Sequence, residues 1–167
     1  MLTQKEAILK RRPIGFKPAL WIAFGFGTGF VPKAPGTAGT LLGIPLAIVI
    51  SQSSIVLQIV ILAVLFVLGC MVCQVAADWL GEQDPGAVVW DEVVGYCMAM
   101  AFLPATLTTI VAAFILFRLA DIVKPWPISW FERRIAGGTG IMVDDLLAGV
   151  LTNIVIHSMI YFRILTP

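Results

Sequence analysis

The 167-residue chain is 59% hydrophobic and only 13% charged, about half the ~25% charge of an ordinary soluble domain. That composition excludes a typical water-soluble domain, and a net charge of +1 argues against a nucleic-acid partner. The expectation is a single integral membrane domain over 1–167.

Positive charge is local. Lys5, Lys10, Arg11, Arg12 and Lys17 crowd a basic N-terminal segment over 1–18. The apolar run at 19–31 that follows is cut by Gly25, Gly27 and Gly29, so it lacks the continuous core and cleavage site of a signal peptide. A retained interfacial or partly buried segment is expected there.

VPKAPGTAGT leads into an apolar helix ending near Ile50, a thin span if extended into SQSS. Thr37 is expected to cap that helix, although the free N–H groups beside Gly36, Thr37 and Thr40 would also suit a phosphate. No GxxxxGK[ST] is present, so neither glycine-rich stretch reads as a nucleotide loop. Ile55–Ala77 is free of charge and long enough for the ~20 residues of a spanning helix. Cys70 and Cys73 form a CxxC inside it, without a second CxxC or nearby histidine, so they and Cys97 read as small core residues.

Asp91 and Glu92 in VVWDEVVG open the next apolar stretch, at a helix N-terminus where carboxylates are favoured. Val93–Leu119 is either one helix kinked at Pro104 or a hairpin turning at LPATLTT, with two arms of ten to twelve residues. Such arms rise ~15–18 Å, short of the ~30 Å hydrocarbon core. In FRLADIVKPWP, Arg118, Asp121 and Lys124 are spaced to share one helical face. They form either a local ion pair or a phosphate grip beside a metal-holding carboxylate. Trp126 and Trp130 suit the headgroup level, and Arg133 and Arg134 add charge where anionic headgroups lie. GGTGIM reads as a flexible loop delivering Asp144 and Asp145 to the start of a last apolar helix, 146–162. His157, the only histidine, reads as a core or helix-contact residue within it.

Basic residues favour cytoplasmic ends. With the N-terminus inside, only the hairpin keeps Asp78–Glu92 and the Arg118–Arg134 region on one side. The fold expected is therefore an all-α membrane bundle with short spans or half-helices and polar loops gathered on the cytoplasmic face.

Six of the ten acidic residues lie between Asp91 and Asp145. Two adjacent acid pairs and Asp121, each abutting an apolar helix, repel one another at little screening unless a cation neutralises them. Hard divalent ions such as Mg2+ take carboxylate and phosphate oxygens. Nucleophilic catalysis lacks its parts: no histidine pair, no Cys-x5-Arg cradle, no DxDx[TV] stretch. A water activated by a metal ion, with a carboxylate taking its proton and cations on the phosphoryl oxygens, remains.

The stretches VPKAPGTAGTLLGIP, DPGAVVWDEVVG and FRLADIVKPWPISWFERRIAGGTGIMVDDLLAGV together resemble the phosphatidylglycerophosphatase A family over about 30–45 and 84–150. The resemblance implies a Mg2+-dependent phosphatase of the bacterial inner membrane that acts on a phospholipid, converting phosphatidylglycerophosphate to phosphatidylglycerol and phosphate. It places the family's acidic positions on Asp84, Asp91, Glu92, Asp121, Asp144 and Asp145. Its basic motif falls on Arg118 and Lys124, and its PGTxGT segment on Gly36, Thr37 and Thr40. The alternative class is a membrane transporter or cation-binding protein using the same carboxylates.

Overall fold

A computed structural model describes residues 17–126, 128–132 and 134–167, the side chain of Glu132 excepted. Lys5, Lys10, Arg11, Arg12 and Arg133 lie outside the described residues. The described residues are mostly helical, with no strand among them. Among the described residues, seven α-helices follow in chain order: α1 (Pro18–Ala23), α2 (Pro35–Ser51), α3 (Ile55–Leu80), α4 (Trp90–Ala99), α5 (Leu107–Val123), α6 (Ile128–Glu132) and α7 (Gly137–Tyr161). A 3-10 segment, Gly25–Phe30, follows α1.

α3 and α7, 26 and 25 residues long, rise ~38–39 Å and are apolar enough to cross a hydrocarbon core. Only 22% of the most apolar window of α3 is buried within the protein. Val56, Val60, Val64, Val67 and Met71 each leave more than half of their surface exposed. A soluble core helix hides such side chains, whereas a bilayer accepts them. This agrees with the membrane association that composition implies.

α4 packs between α2 and α7, and α7 also packs on α3 and α5. Small residues permit the approach: a side chain at Gly149 of α7 would strike the Gly95 carbonyl of α4, the close backbone contact typical of apolar helix pairs. Gly149 meets Gly95 and Met98, and Asn153 meets Ala99 and Ala101, so α4 and α7 run in the same direction. Gly69 meets Met142 and Gly138 meets Gln74, so α3 runs against α7. The starts of α2, α4 and α7 and the ends of α3 and α5 therefore share one end of the helix set.

Residues 93–119 form the hairpin rather than a kinked rod. Tyr96 Oη donates to the Ile110 carbonyl at 3.0 Å, and the Tyr96 ring meets Phe114 and Phe117 edge-on. Buried backbone at a hairpin tip needs partners. Asn153 Nδ2 donates to the carbonyls of Ala99 (3.1 Å) and Ala101 (2.8 Å), and the Phe102 N–H donates to Gln58 Oε1 (3.0 Å). The TLTT segment then restarts the chain as a reciprocal Thr106–Thr109 capping box. The arms are unequal, at 10 and 17 residues, not ten to twelve each. α5 continues through Arg118 and Asp121 to Lys124, while irregular DPGAVV delays the start of α4.

Three further expectations are corrected. Thr37 does not cap α2: Ala34 occupies that position and Pro35, pre-set for a first helical turn, opens the helix. Asp144 and Asp145 do not begin a helix either. α7 starts at Gly137, so the acids lie about two turns inside, and GGTGIM is helical. Its glycines serve contact rather than flexibility, since a Cβ at Gly138 would collide with the Cys70 carbonyl and the Gln74 backbone. Gln74 Oε1 accepts the Gly138 N–H at 2.8 Å, satisfying one orphan donor of the helix start from a neighbouring helix. His157 is exposed rather than in the core, its Nδ1 3.0 Å from the Asn153 carbonyl oxygen. Cys73 and Cys97 are buried and Cys70 half-buried, all as free thiols.

Candidate active site

α1 sets the acid loop. The Val89 N–H donates to the Ala23 carbonyl at 2.9 Å and the Val88 N–H to Pro85 at 2.8 Å. Trp90, buried with Val72, Cys73 and Met142, then starts α4 so that Asp91 and Glu92 fall in its first turn. α7, seated beside α4, brings Asp145 to the same place. Asp91, Glu92 and Asp145 each offer a carboxylate oxygen, and these oxygens lie within 4.8 Å of one another.

Two cations face this group from α5. Arg118 Nη1 is 2.7 Å from Asp121 Oδ2 and 4.0 Å from Glu92 Oε1. Lys124 ends α5 with φ 44°, a left-handed conformation uncommon for a side-chain-bearing residue, and its Nζ donates to Asp144 Oδ2 at 2.7 Å. Asp121 lies within electrostatic reach of both Glu92 and Asp145.

These side chains enclose a cavity of about 430 Å3. Asp84, Asp91, Glu92, Asp121, Asp144 and Asp145 all line it, as do Arg118, Lys124, Gly36 and Thr37. A Cβ at Gly36 would run into Glu92 Oε1 and sit 3.1 Å from the Arg118 guanidinium nitrogens, so only glycine lets α2 approach here. Thr40 does not reach the cavity; it is fully buried and its hydroxyl donates to the Gly36 carbonyl at 2.9 Å. Arg134 borders a neighbouring hollow. Lys33 lines the cavity and was not singled out from sequence. The signal available was its place as the lone cation in VPKAPGTAGT.

Burial pushes Asp91 well above the ordinary carboxylate range, helped by the charges of Glu92 and Asp145. Burial also lifts Glu92 to about 7; contact with Asp91 lowers it, Asp121 raises it and Arg118 lowers it. Asp91 Oδ1, Glu92 Oε2 and Asp144 Oδ1 are buried with no hydrogen-bond partner. Acceptor oxygens so placed are costly unless a cation or proton meets them. An all-oxygen donor set with bare lone pairs turned to one centre fits a hard divalent ion. Asp91, Glu92 and Asp145 form that tight set. Asp121 and Asp144 are each held by a cation, and Asp84 stands on the cavity wall.

A family model described as phosphatidylglycerophosphatase A matches residues 21–160. The chain is 39% identical over 149 residues to a Haemophilus influenzae protein named phosphatidylglycerophosphatase A, covering 88% of this chain and 91% of the relative. An Escherichia coli protein of the same name is 37% identical over 153 residues, covering 91% and 89%. A Bacteroides thetaiotaomicron protein provisionally named a phosphatidylinositol-3-phosphatase is 39% identical over 153 residues, covering 87% and 94%. No solved structure matches the chain.

Proposed function

The chain belongs to the phosphatidylglycerophosphatase A family, and on that premise we propose how it acts: it hydrolyses the terminal phosphomonoester of phosphatidylglycerophosphate, giving phosphatidylglycerol and inorganic phosphate, with Mg2+ as cofactor. The observation that carries this reading is the convergence of three carboxylate oxygens within 4.8 Å, in a cavity also lined by Arg118 and Lys124.

Asp91, Glu92 and Asp145 are the residues that hold the ion. When bound, the ion neutralises the acids and lowers the pKa of water toward neutrality. Arg118 and Lys124 take the non-bridging phosphoryl oxygens, where charge builds as the transition state is approached. For Lys124 this means sharing its ammonium between Asp144 and the phosphate. Gly36 clears the space, and the backbone N–H groups of the first turn of α2, at Gly36 and Thr37, add donors with helix-start polarity. Water adds its oxygen to phosphorus, the bond from phosphorus to the glycerol oxygen breaks, and the proton that the water gives up to a carboxylate is passed to the departing glycerol oxygen. Asp91 Oδ1, Glu92 Oε2 and Asp144 Oδ1, buried without donors, are the candidate acceptors of the water's proton.

In the membrane, α2, α3 and α7 cross and the α4–α5 hairpin enters from the site's side and returns. Basic residues favour cytoplasmic ends, and Arg118, Lys124 and Arg134 near that end support a site on the cytoplasmic side of a bacterial inner membrane. The gathering of acids at one end of the helices favours interfacial chemistry over a conduction path, which needs polar groups at mid-span.

Purified protein incubated with phosphatidylglycerophosphate, with and without Mg2+, tests the reading by released phosphate. Release only with the metal is expected. Metal-independent release, or none, removes it.

A further inference from the structure

Arg134 borders two hollows at once. The first, of about 380 Å3, is walled by Asp84 and Asp144, which also line the acid cavity, and by Gln83. The second, of about 370 Å3, is a mostly apolar shelf between Trp126 and Trp130. Both indoles are exposed, Trp126 to 80%, which suits the headgroup level of a bilayer. The Arg134 guanidinium lies over the Trp130 ring, 4.0 Å from its centroid. Contact with the ring restrains the guanidinium without using its edge donors for hydrogen bonds, and that planar fork is the group that recognises a phosphate in a bidentate manner.

The substrate of the proposed reaction carries two anions in series. A phosphomonoester, a glycerol with one free hydroxyl, a phosphodiester and then the acyl chains follow one another. Read outward from the acids, the protein offers partners in that order: Arg118 and Lys124 for the monoester, the Asp84 carboxylate and Gln83 amide for the hydroxyl, Arg134 next, then the indole shelf.

We propose that Arg134 binds the phosphodiester of the lipid and thereby selects headgroups in which a phosphomonoester stands one polyol beyond a phosphodiester. The inference rests on the proposed function. The provisional name of the Bacteroides relative denotes a headgroup of the same two-phosphate kind.

The test uses the full chain in mixed micelles with Mg2+, as wild type, Arg134→Ala and Arg134→Lys. Three quantities are read: KM and kcat for phosphatidylglycerophosphate, inhibition by short-chain phosphatidylglycerol (a phosphodiester without a monoester), and inhibition by inorganic phosphate. Loss of a charge-assisted contact raises KM about tenfold or more in Arg134→Ala, with kcat within about twofold. Inhibition by phosphatidylglycerol weakens by a similar factor, and inhibition by phosphate is unchanged. Arg134→Lys recovers only part of the effect, since an ammonium lacks the fork. Unchanged inhibition by phosphatidylglycerol, or equal weakening of both inhibitors, overturns the assignment, as does a wild type insensitive to phosphatidylglycerol. A wild type that releases no phosphate from the lipid removes the underlying reaction instead.

Discussion

Lys124 Nζ lies 2.7 Å from Asp144 Oδ2, joining the residue that ends α5 to one about two turns inside α7. Both side chains are largely buried, so removing the cation strands a carboxylate. Lys124→Ala is expected to cost about 1–3 kcal/mol of stability and to lower kcat at least a hundredfold through loss of a phosphoryl contact. Adding Asp144→Asn should restore much of the stability but not turnover. Thermal denaturation and phosphate release on the single and double variants separate the two effects. Full activity in Lys124→Ala contradicts the assigned role.

Asp91 and Asp145 come from different helices yet share one centre with Glu92. An ion held there binds only the folded chain, so saturating Mg2+ should raise the unfolding temperature; at a hundredfold excess over Kd the gain is about 2.7 kcal/mol. Asp91→Asn or Asp145→Asn is expected to abolish both the Mg2+ shift and turnover, while each metal-free variant stays at least as stable as metal-free wild type, because one repelling charge is gone. A Mg2+ shift that persists in both variants places the ion elsewhere.

Glu92 gives the pH dependence its sign. Its carboxyl titrates near 7 rather than at its ordinary 4.5, because burial disfavours the charged form. A raised carboxyl binds its proton more tightly folded than unfolded. In metal-free protein its contribution is therefore fully present below about 4.5 and is lost as pH rises through about 7. Metal binding has the opposite sense, since the ion displaces that proton. Mg2+ affinity measured by calorimetry should be weaker at pH 6 than at pH 8, with proton uptake by buffer on binding. An affinity independent of pH across that interval contradicts the argument.

Much of this arrangement is legible in the residues alone. Charge is so scarce in the chain that each acid pair stands out, and the length of apolar runs separates α3 from the short arms of the hairpin. LPATLTT announces the turn between α4 and α5. What misleads is glycine. GGTGIM carries the composition of a loop, yet Gly138 is there because α3 leaves no room for a side chain, and the helix start is completed by Gln74 from far along the chain. No local pattern encodes that partner, so α7 starts at Gly137, ahead of Asp144 and Asp145 and of the 146–162 span expected. Thr37 misleads similarly, because Pro35 takes the opening of α2 through fixed φ rather than through a side-chain cap. Thr40 sits in the same PGTAGT motif as Gly36, but one helical turn carries it away from the cavity. His157 is placed on the exposed outside of α7, because an apolar neighbourhood in sequence does not by itself mean core.

Gly36 and Thr40 make the last point testable, since one motif holds a site residue and a structural one. Gly36→Ala puts a methyl group against Glu92 Oε1 and the Arg118 guanidinium. The two charged groups must part to admit it, so metal and phosphate contacts both lose their geometry. A misplacement of about 1 Å is enough for a hundredfold loss of rate. The helix itself gains from alanine by roughly 0.5–1 kcal/mol, which offsets part of the crowding, and the fold should survive. Thr40→Val does the reverse. It removes a buried hydroxyl whose acceptor, the Gly36 carbonyl, loses that bond, costing about 1 kcal/mol at a position outside the cavity. The expected pattern is a low kcat with near-native unfolding temperature for Gly36→Ala, and near-native kcat with a lowered unfolding temperature for Thr40→Val. The opposite pattern would make Thr40 the residue that meets the phosphate and Gly36 a packing residue alone.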